Sequence, residues 1–418
     1  MKIIIYGTGW NATKALNTLR QKYSDDIIAG FTQTVYDDKK KEICSKPVYK
    51  LESLTSWGGG VKFYISPEWP LRGEIQAYLL DNGYAEKEDI LNYESCQKYV
   101  SCVSLEEMMV LSDMGFYNCC YGPGRNFPPL VRYKDNISEA VDDFLIQRDD
   151  IIQKLKTNAK NPCSGCPALK SDYWKDKKET LNLAVGLSYP CQLACSYCTW
   201  EGNSRNIAKA NAENLTRADE VDVPSIIRVI EDKGIFPREG MVNFASGEIT
   251  ISKKCDEILD ASSNHPVGIY SNGIIYSERI ANLVSRNDGS YLNVSVDAGT
   301  SETYKSVKGL DVFEKVKTAL FRYREKGAHI ILKYILLDKN NNEADLRGFV
   351  NLMQDIKPDK VSVSFDFNMG QEGITEAVTD GAAYLVGECR KRDILCNLIS
   401  DFGKSNIERI EEKINSEI

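Results

Sequence analysis

The chain has 418 residues, 42% of them hydrophobic and 27% charged, with a formal net charge of −8. That length suits two to three domains at about 150 residues each, and no apolar run approaches the ~20 residues of a membrane span. The acidic balance gives no broad cationic field and disfavours a nucleic-acid partner. With 13 cysteines against 2 histidines, the composition points to reduced thiols and metal sites in a cytoplasmic chain, not to a disulfide framework.

Residues 1–95 alternate strand and helix signals. Ile3–Tyr6 is an apolar strand, and Gly7-Thr8-Gly9-Trp10-Asn11-Ala12 turns into a helix running to about Tyr23. Ile27–Thr32 and Val61–Ser66 read as further strands, and Pro70–Asn82 as a helix closed by Gly83. This rhythm predicts a small Rossmann-like, doubly wound domain. The G-x-G-x-x-A run fits the dinucleotide fingerprint, but Gln33 follows Thr32 where an acid should end the second strand. The turn therefore serves the fold or an interdomain contact as readily as a ligand.

Residues 96–178 form a cysteine-bearing linker with a predicted helix at Ile137–Lys156. Cys119-Cys120 precede Tyr-Gly-Pro-Gly, and Cys163-Ser-Gly-Cys166 presents two thiols from one tight turn. A second iron–sulfur cluster on Cys163, Cys166 and Cys119 or Cys120 is the leading reading, with Cys102 as another ligand candidate. A zinc knuckle and unliganded thiols are the alternatives.

From 179 to 370 the pattern is βα repeated. Strands are predicted at Leu181–Leu187, Met241–Phe244, Val267–Ser271, Tyr291–Val296, Ile330–Leu336 and Lys360–Phe365. Helices fall between them at Pro224–Lys233, Ser252–Ser263, Ser277–Ser285, Val312–Lys326 and Glu343–Asp355. Six strands with right-handed crossovers make a partial (β/α)6 TIM-like barrel, an α/β fold. Chemistry in such barrels collects at the C-terminal strand ends. Residues 371–418 read as a helical C-terminal region.

The first barrel strand runs into Cys191-Gln-Leu-Ala-Cys195-Ser-Tyr-Cys198. Thiolates are soft ligands for iron–sulfur clusters, zinc or copper(I). A structural zinc site wants a fourth ligand close by, and no Cys or His follows for dozens of residues. Three ligands around a four-iron cube leave one iron open to a small chelating molecule. With Tyr197 in the aromatic position, the run resembles the C-x3-C-x-aromatic-C motif of the radical S-adenosylmethionine (SAM) superfamily.

That resemblance implies a [4Fe-4S] cluster, SAM as cosubstrate, the partial barrel, and an electron donor such as flavodoxin or ferredoxin. Ala245-Ser246-Gly247-Glu248 resembles the family's Gly-Gly-Glu motif, with Ser246 replacing one glycine, and is implied to receive the SAM ammonium. By the same resemblance Ser271, Asn272, Ser295 and Asp297 reach the methionyl carboxylate or the ribose, and Lys333 is a candidate cation for that carboxylate. The Cys163–Cys166 region looks like the auxiliary-cluster segments of several such families. The implied activity is reductive cleavage of SAM and hydrogen abstraction from a substrate carbon, giving oxidation or epimerisation. Cys255, Cys389 and Cys396 are candidate hydrogen donors, against plain burial. The front domain resembles Rossmann-like domains of sugar metabolism, which points to a sugar or surface-glycan precursor. The competing readings are modification of a ribosomally made peptide, a non-enzymatic iron–sulfur redox protein, and a zinc-dependent module.

Overall fold

β1 (Lys2–Tyr6) divides its side chains between two cores. Ile3 and Ile5 pack with Ala12, Leu16 and Leu19, whereas Ile4 and Tyr6 pack with Phe63, Ile75 and Leu79. A strand buried on both faces belongs inside a sheet covered on both sides. β2 (Ile28–Gln33), β3 (Glu42–Ile43), β4 (Lys46–Lys50) and β5 (Val61–Ile65) complete that sheet in the order β3-β4-β2-β1-β5, parallel except for β3. The helices Trp10–Arg20 and Leu71–Asp81 bring Ala12 and Leu16 to one core and Ile75 and Leu79 to the other. This is the expected doubly wound domain. The Thr8 hydroxyl donates to the side-chain carbonyl of Gln33, so the residue standing where an acid was sought ties the first turn to β2.

The computed structural model describes residues 1–8, 10–36, 41–54, 57, 60–119, 128–176, 179–198, 218–370, 374–399 and 402–416. They fall into two units: Met1–Glu107 with Arg148–Glu179, and Met108–Gln147 with Thr180–Ile418. The 96–178 segment is thus shared between the two. β6 (Cys96–Ser101) belongs to the first, while β7 (Met108–Ser112) and β8 (Gly115–Tyr117) make a hairpin in the second. β9 (Lys170–Lys175) returns to the first unit and pairs antiparallel with β6 along its whole length. The helix Ile137–Lys156 has the predicted bounds.

The second unit continues with β10 (Asn182–Val185), β11 (Met241–Phe244), β12 (Val267–Ser271), β13 (Tyr291–Ser295), β14 (Ile330–Leu336), β15 (Lys360–Phe365) and β16 (Leu395–Leu398). Its sheet runs β16-β15-β14-β13-β12-β11-β10-β7-β8, and every pairing except β7 with β8 is parallel. β10 to β15 are the six strands of the expected partial barrel. Two parallel strands extend it. β7 adds to β10 from the segment read as a linker, and β16 adds to β15 where the C-terminal region was read as helical. That region does supply helices at Glu376–Arg390 and Lys404–Ser416, with the four-residue β16 between them.

Strand residues alternate faces. Leu183, Val185, Val242, Phe244, Val294, Leu332, Val361 and Val363 pack into the core shared with the helices. Several of the intervening residues on the opposite face are polar: Asn182, Asn243, Tyr291, Asn293, Lys333 and Ser362 among them. Asn243 donates to Asn182 at 2.9 Å and accepts from the Tyr291 hydroxyl at 3.1 Å. Gly268 lies beneath this contact, where an added Cβ would come within 2.1 Å of the Asn243 amide oxygen. No helix among the described residues is long and apolar enough to cross a membrane.

Candidate active site

The cysteine loop is fastened to the helix Ser301–Lys308 through its backbone. The Ala194 amide donates to the Lys308 carbonyl at 2.9 Å and the Ser196 amide to the Val307 carbonyl at 2.8 Å. Carbonyls of a last helical turn have no intrahelical partner, so they are free to accept these bonds. Cys198 closes a tight turn onto the Cys195 carbonyl at 3.1 Å. Cys191, Cys195 and Cys198 are all free thiols, the first two half-buried and the third exposed. Burial pushes the Cys191 thiol up to about 11 and raises Cys195 against the pull of Lys308.

Two side-chain networks hold this loop. On one side the Asn272 amide donates to Gln192 at 2.8 Å and to the Cys191 sulfur at 3.5 Å. Asn272 is itself positioned by Glu248, whose carboxylate accepts from its backbone amide at 2.7 Å, from the Ser271 hydroxyl at 3.0 Å and from the Thr250 hydroxyl at 2.7 Å. Burial raises the Glu248 carboxyl, and these donors oppose the shift. On the other side Tyr197 donates to Asp297 at 2.5 Å, and Lys308 bonds both the same carboxylate and, at 2.7 Å, the tyrosine oxygen. The other Asp297 oxygen accepts from the Ile335 amide at 2.7 Å. Burial alone would push Lys308 down, but Asp297 together with the Cys195 and Cys191 thiols outweighs it and holds the amine above its ordinary value.

Glu248 and Asp297 were expected to touch the cofactor. Both are fully enclosed and their oxygens are taken by protein donors, so what they do in the structure is position Asn272 and Tyr197. Lys308 escaped the sequence reading. A lysine in the last helical turn, just before Gly309, reads as a solvated cation facing the helix dipole. Asn368 was also missed; its amide donates to the Tyr197 carbonyl at 2.8 Å.

Gly247 brings the Ser246–Glu248 segment against the approach to the cysteine loop. Its φ is +60°, and an added Cβ would lie 1.8 Å from the Tyr189 carbonyl oxygen. Gly247→Ala is expected to lower stability by about 1–3 kcal/mol or more, since strain and overlap coincide. Urea denaturation checks this; a midpoint within error of wild type would refute the close packing.

Cys163 and Cys166 occupy one tight turn in the first unit, the Cys166 amide bonding the Cys163 carbonyl at 3.0 Å. Cys119 belongs to the second unit, and Cys120 lies outside the described residues. Cys102 is buried, its sulfur accepting from the Leu105 amide at 3.4 Å. Among the described residues no three Cys, His, Asp or Glu are drawn tightly enough together to hold a metal ion, the loop thiols included. The donor set of the loop nevertheless fits an anionic iron–sulfur cluster: three thiols, an amide aimed at Cys191, and a buried ammonium beside Cys195. Cys255 and Cys389 pack into the helix-side core with Cys396 against it, which is the plain-burial outcome.

Residues 187–353 match the family model described as Radical SAM superfamily. That stretch thus carries a radical SAM domain match. A radical SAM assignment agrees with a cysteine loop that starts at the C-terminal end of a parallel strand. Among similar curated proteins, one named GTPase Obg from Brachyspira hyodysenteriae is 24% identical over 302 residues, covering 68% of this chain and 41% of that protein. Mycofactocin maturase MftC of Mycobacterium tuberculosis is 23% identical over 185 residues, 44% of each chain. These matches span less than half the length of either relative. The crystal structure of Streptococcus suis SuiB is 17% identical, with a TM-score of 0.41, covering 64% of this chain and 55% of that one.

Proposed function

We propose that this radical SAM enzyme holds a [4Fe-4S] cluster on Cys191, Cys195 and Cys198, leaving one iron for SAM, and abstracts hydrogen from a carbon of its substrate. The observation that carries this reading is the cysteine loop held between the Asn272 and Tyr197 networks. When bound, the cluster and SAM supply a reductive cleavage whose organic radical removes hydrogen from an unactivated carbon. The chain itself contributes position. Asn272 directs an N–H at the Cys191 sulfur, and such bonds lower the cost of charge on a ligand sulfur. Ser246 and Ser295 make no side-chain hydrogen bond among the described residues, which leaves their hydroxyls free for the SAM ammonium, carboxylate or ribose. The Ser246–Gly247 backbone stands beside them at the end of β11.

The substrate is a sugar or surface-glycan precursor, and oxidation or epimerisation is the outcome. The Rossmann-like domain supports this reading. The likeness to mycofactocin maturase favours a second one, modification of a ribosomally made peptide. Cys163 and Cys166 are ligands proposed for an auxiliary cluster, and a flavodoxin or ferredoxin in the cytoplasm is the proposed electron donor. Anaerobically reconstituted protein given SAM and dithionite should release 5′-deoxyadenosine, read by chromatography. Release no greater than in a protein-free control, with each of several reductants, would sink the hydrogen-abstraction reading.

A further inference from the structure

A cavity of about 340 Å³ opens in the barrel lumen, lined on β13 to β16 by Asn293, Lys333, Lys360, Ser362 and Asn397 and walled by Tyr270 and Tyr291. Strand register orders these groups. Lys333, Ser362 and Asn397 share one row, level with Ser295. Asn293 and Lys360 share the next row toward the N-terminal strand ends. Two residues along a strand separate the rows, about 7 Å.

The chemistry of this lining is one-sided. Among the described residues no carboxylate lines the cavity, and neither lysine has an ion-pair partner. Asp297, the acid acting on Lys333, is already bound to Lys308, Tyr197 and the Ile335 amide. Burial pushes Lys333 below its ordinary value against that pull. The amide oxygens of Asn293 and Asn397 are buried without a hydrogen-bond partner among the described residues. A desolvated ammonium whose nearby acid is committed to other donors and an orphaned buried carbonyl are both costly. A ligand that brings an oxyanion together with N–H or O–H donors removes both costs at once.

We infer that this lumen takes a small acidic substrate, its carboxylate or phosphate held between Lys333 and Lys360 and its hydroxyl or amide donors meeting Asn293 and Asn397. The inference rests on the hydrogen-abstraction reading and narrows its substrate class. It places Lys333 on the substrate instead of on the SAM carboxylate. An acid anchored in the lower row leaves the rest of the molecule pointing up the lumen toward Ser295 and the cysteine loop. The volume suits a molecule of sugar-acid size, near the small end of ligand pockets of about 300–1,000 Å³.

The test uses pyridoxal 5′-phosphate on the reconstituted protein. Its aldehyde condenses with a lysine amine, releasing water, and borohydride reduces the imine to a stable secondary amine that mass spectrometry locates. Lys333 and Lys360 should be labelled ahead of the exposed Lys404, and millimolar inorganic phosphate or glucuronate should suppress that labelling several-fold. Suppression by phosphate alone identifies a phosphate ester as the substrate, and suppression by glucuronate alone a carboxylate. Lys333→Gln and Lys360→Gln should each reduce labelling of the remaining lysine, because the anion loses half its cage. Labelling no faster than at Lys404, or unaffected by either anion, overturns the inference. So does a loss of SAM affinity in Lys333→Gln, measured by calorimetry. Because labelling needs no SAM, a wild type that labels as expected yet releases no 5′-deoxyadenosine defeats the cofactor reading alone.

Discussion

Replacing Cys191, Cys195 and Cys198 together by alanine should abolish 5′-deoxyadenosine release, to the level of a protein-free control. Iron and sulfide should fall with it. The loop itself is secured by backbone bonds to the Val307 and Lys308 carbonyls, so far-UV circular dichroism should change little. That separates loss of ligands from loss of fold. Iron remaining in the triple variant would mark a second cluster, with the Cys163–Cys166 turn as its first address. Undiminished iron together with undiminished SAM cleavage would remove the loop from the chemistry altogether.

The second large effect is expected at Lys308. Lys308→Met keeps most of the side-chain volume but leaves Asp297 buried without its cation. Breaking a buried pair from one side costs about 3–5 kcal/mol, because the remaining charge stays uncompensated. Asn at position 297 accommodates the left-handed backbone there, φ +55°, better than most residues. The double variant Lys308→Met/Asp297→Asn should therefore regain part of the loss. Urea denaturation of the two variants beside wild type decides it; a Lys308→Met midpoint close to wild type would refute a structural role for the pair. The sign of the pH dependence follows from the raised amine. Its folded value lies above 10.5, so the stabilisation is fully present below that pH and fades only as pH rises beyond it. SAM cleavage should fall along with stability, because Tyr197 keeps Asp297 but loses Lys308, one of the two groups that hold its hydroxyl.

The barrel was legible wherever burial alternates on a strand flanked by clear turns. Met241–Phe244, Val267–Ser271, Ile330–Leu336 and Lys360–Phe365 fold with the bounds the sequence predicts. β16 was hidden because four residues between two strong helices carry too little periodicity to register. β7, an apolar run followed at once by a hairpin, was obscured by the cysteines on either side of it. The site was legible as positions but not as directions. A carboxylate at a strand end looks the same in sequence whether it meets a ligand, as expected of Asp297, or a lysine from the helix after it. The partner Lys308 sits 11 positions later, on a helix that the reading had passed over.

Among the described residues the order of the nine strands ends at β8 on one side and β16 on the other, and these two are not hydrogen-bonded to each other. A closed barrel has its girth set by strand number and stagger. A sheet whose outermost strands do not pair with each other has no such constraint, and small changes in twist between neighbours can widen or narrow its bore while every ladder stays intact. Guests of different bulk can then share one catalytic rim, with selectivity depending on how the walls are decorated and not on a rigid diameter.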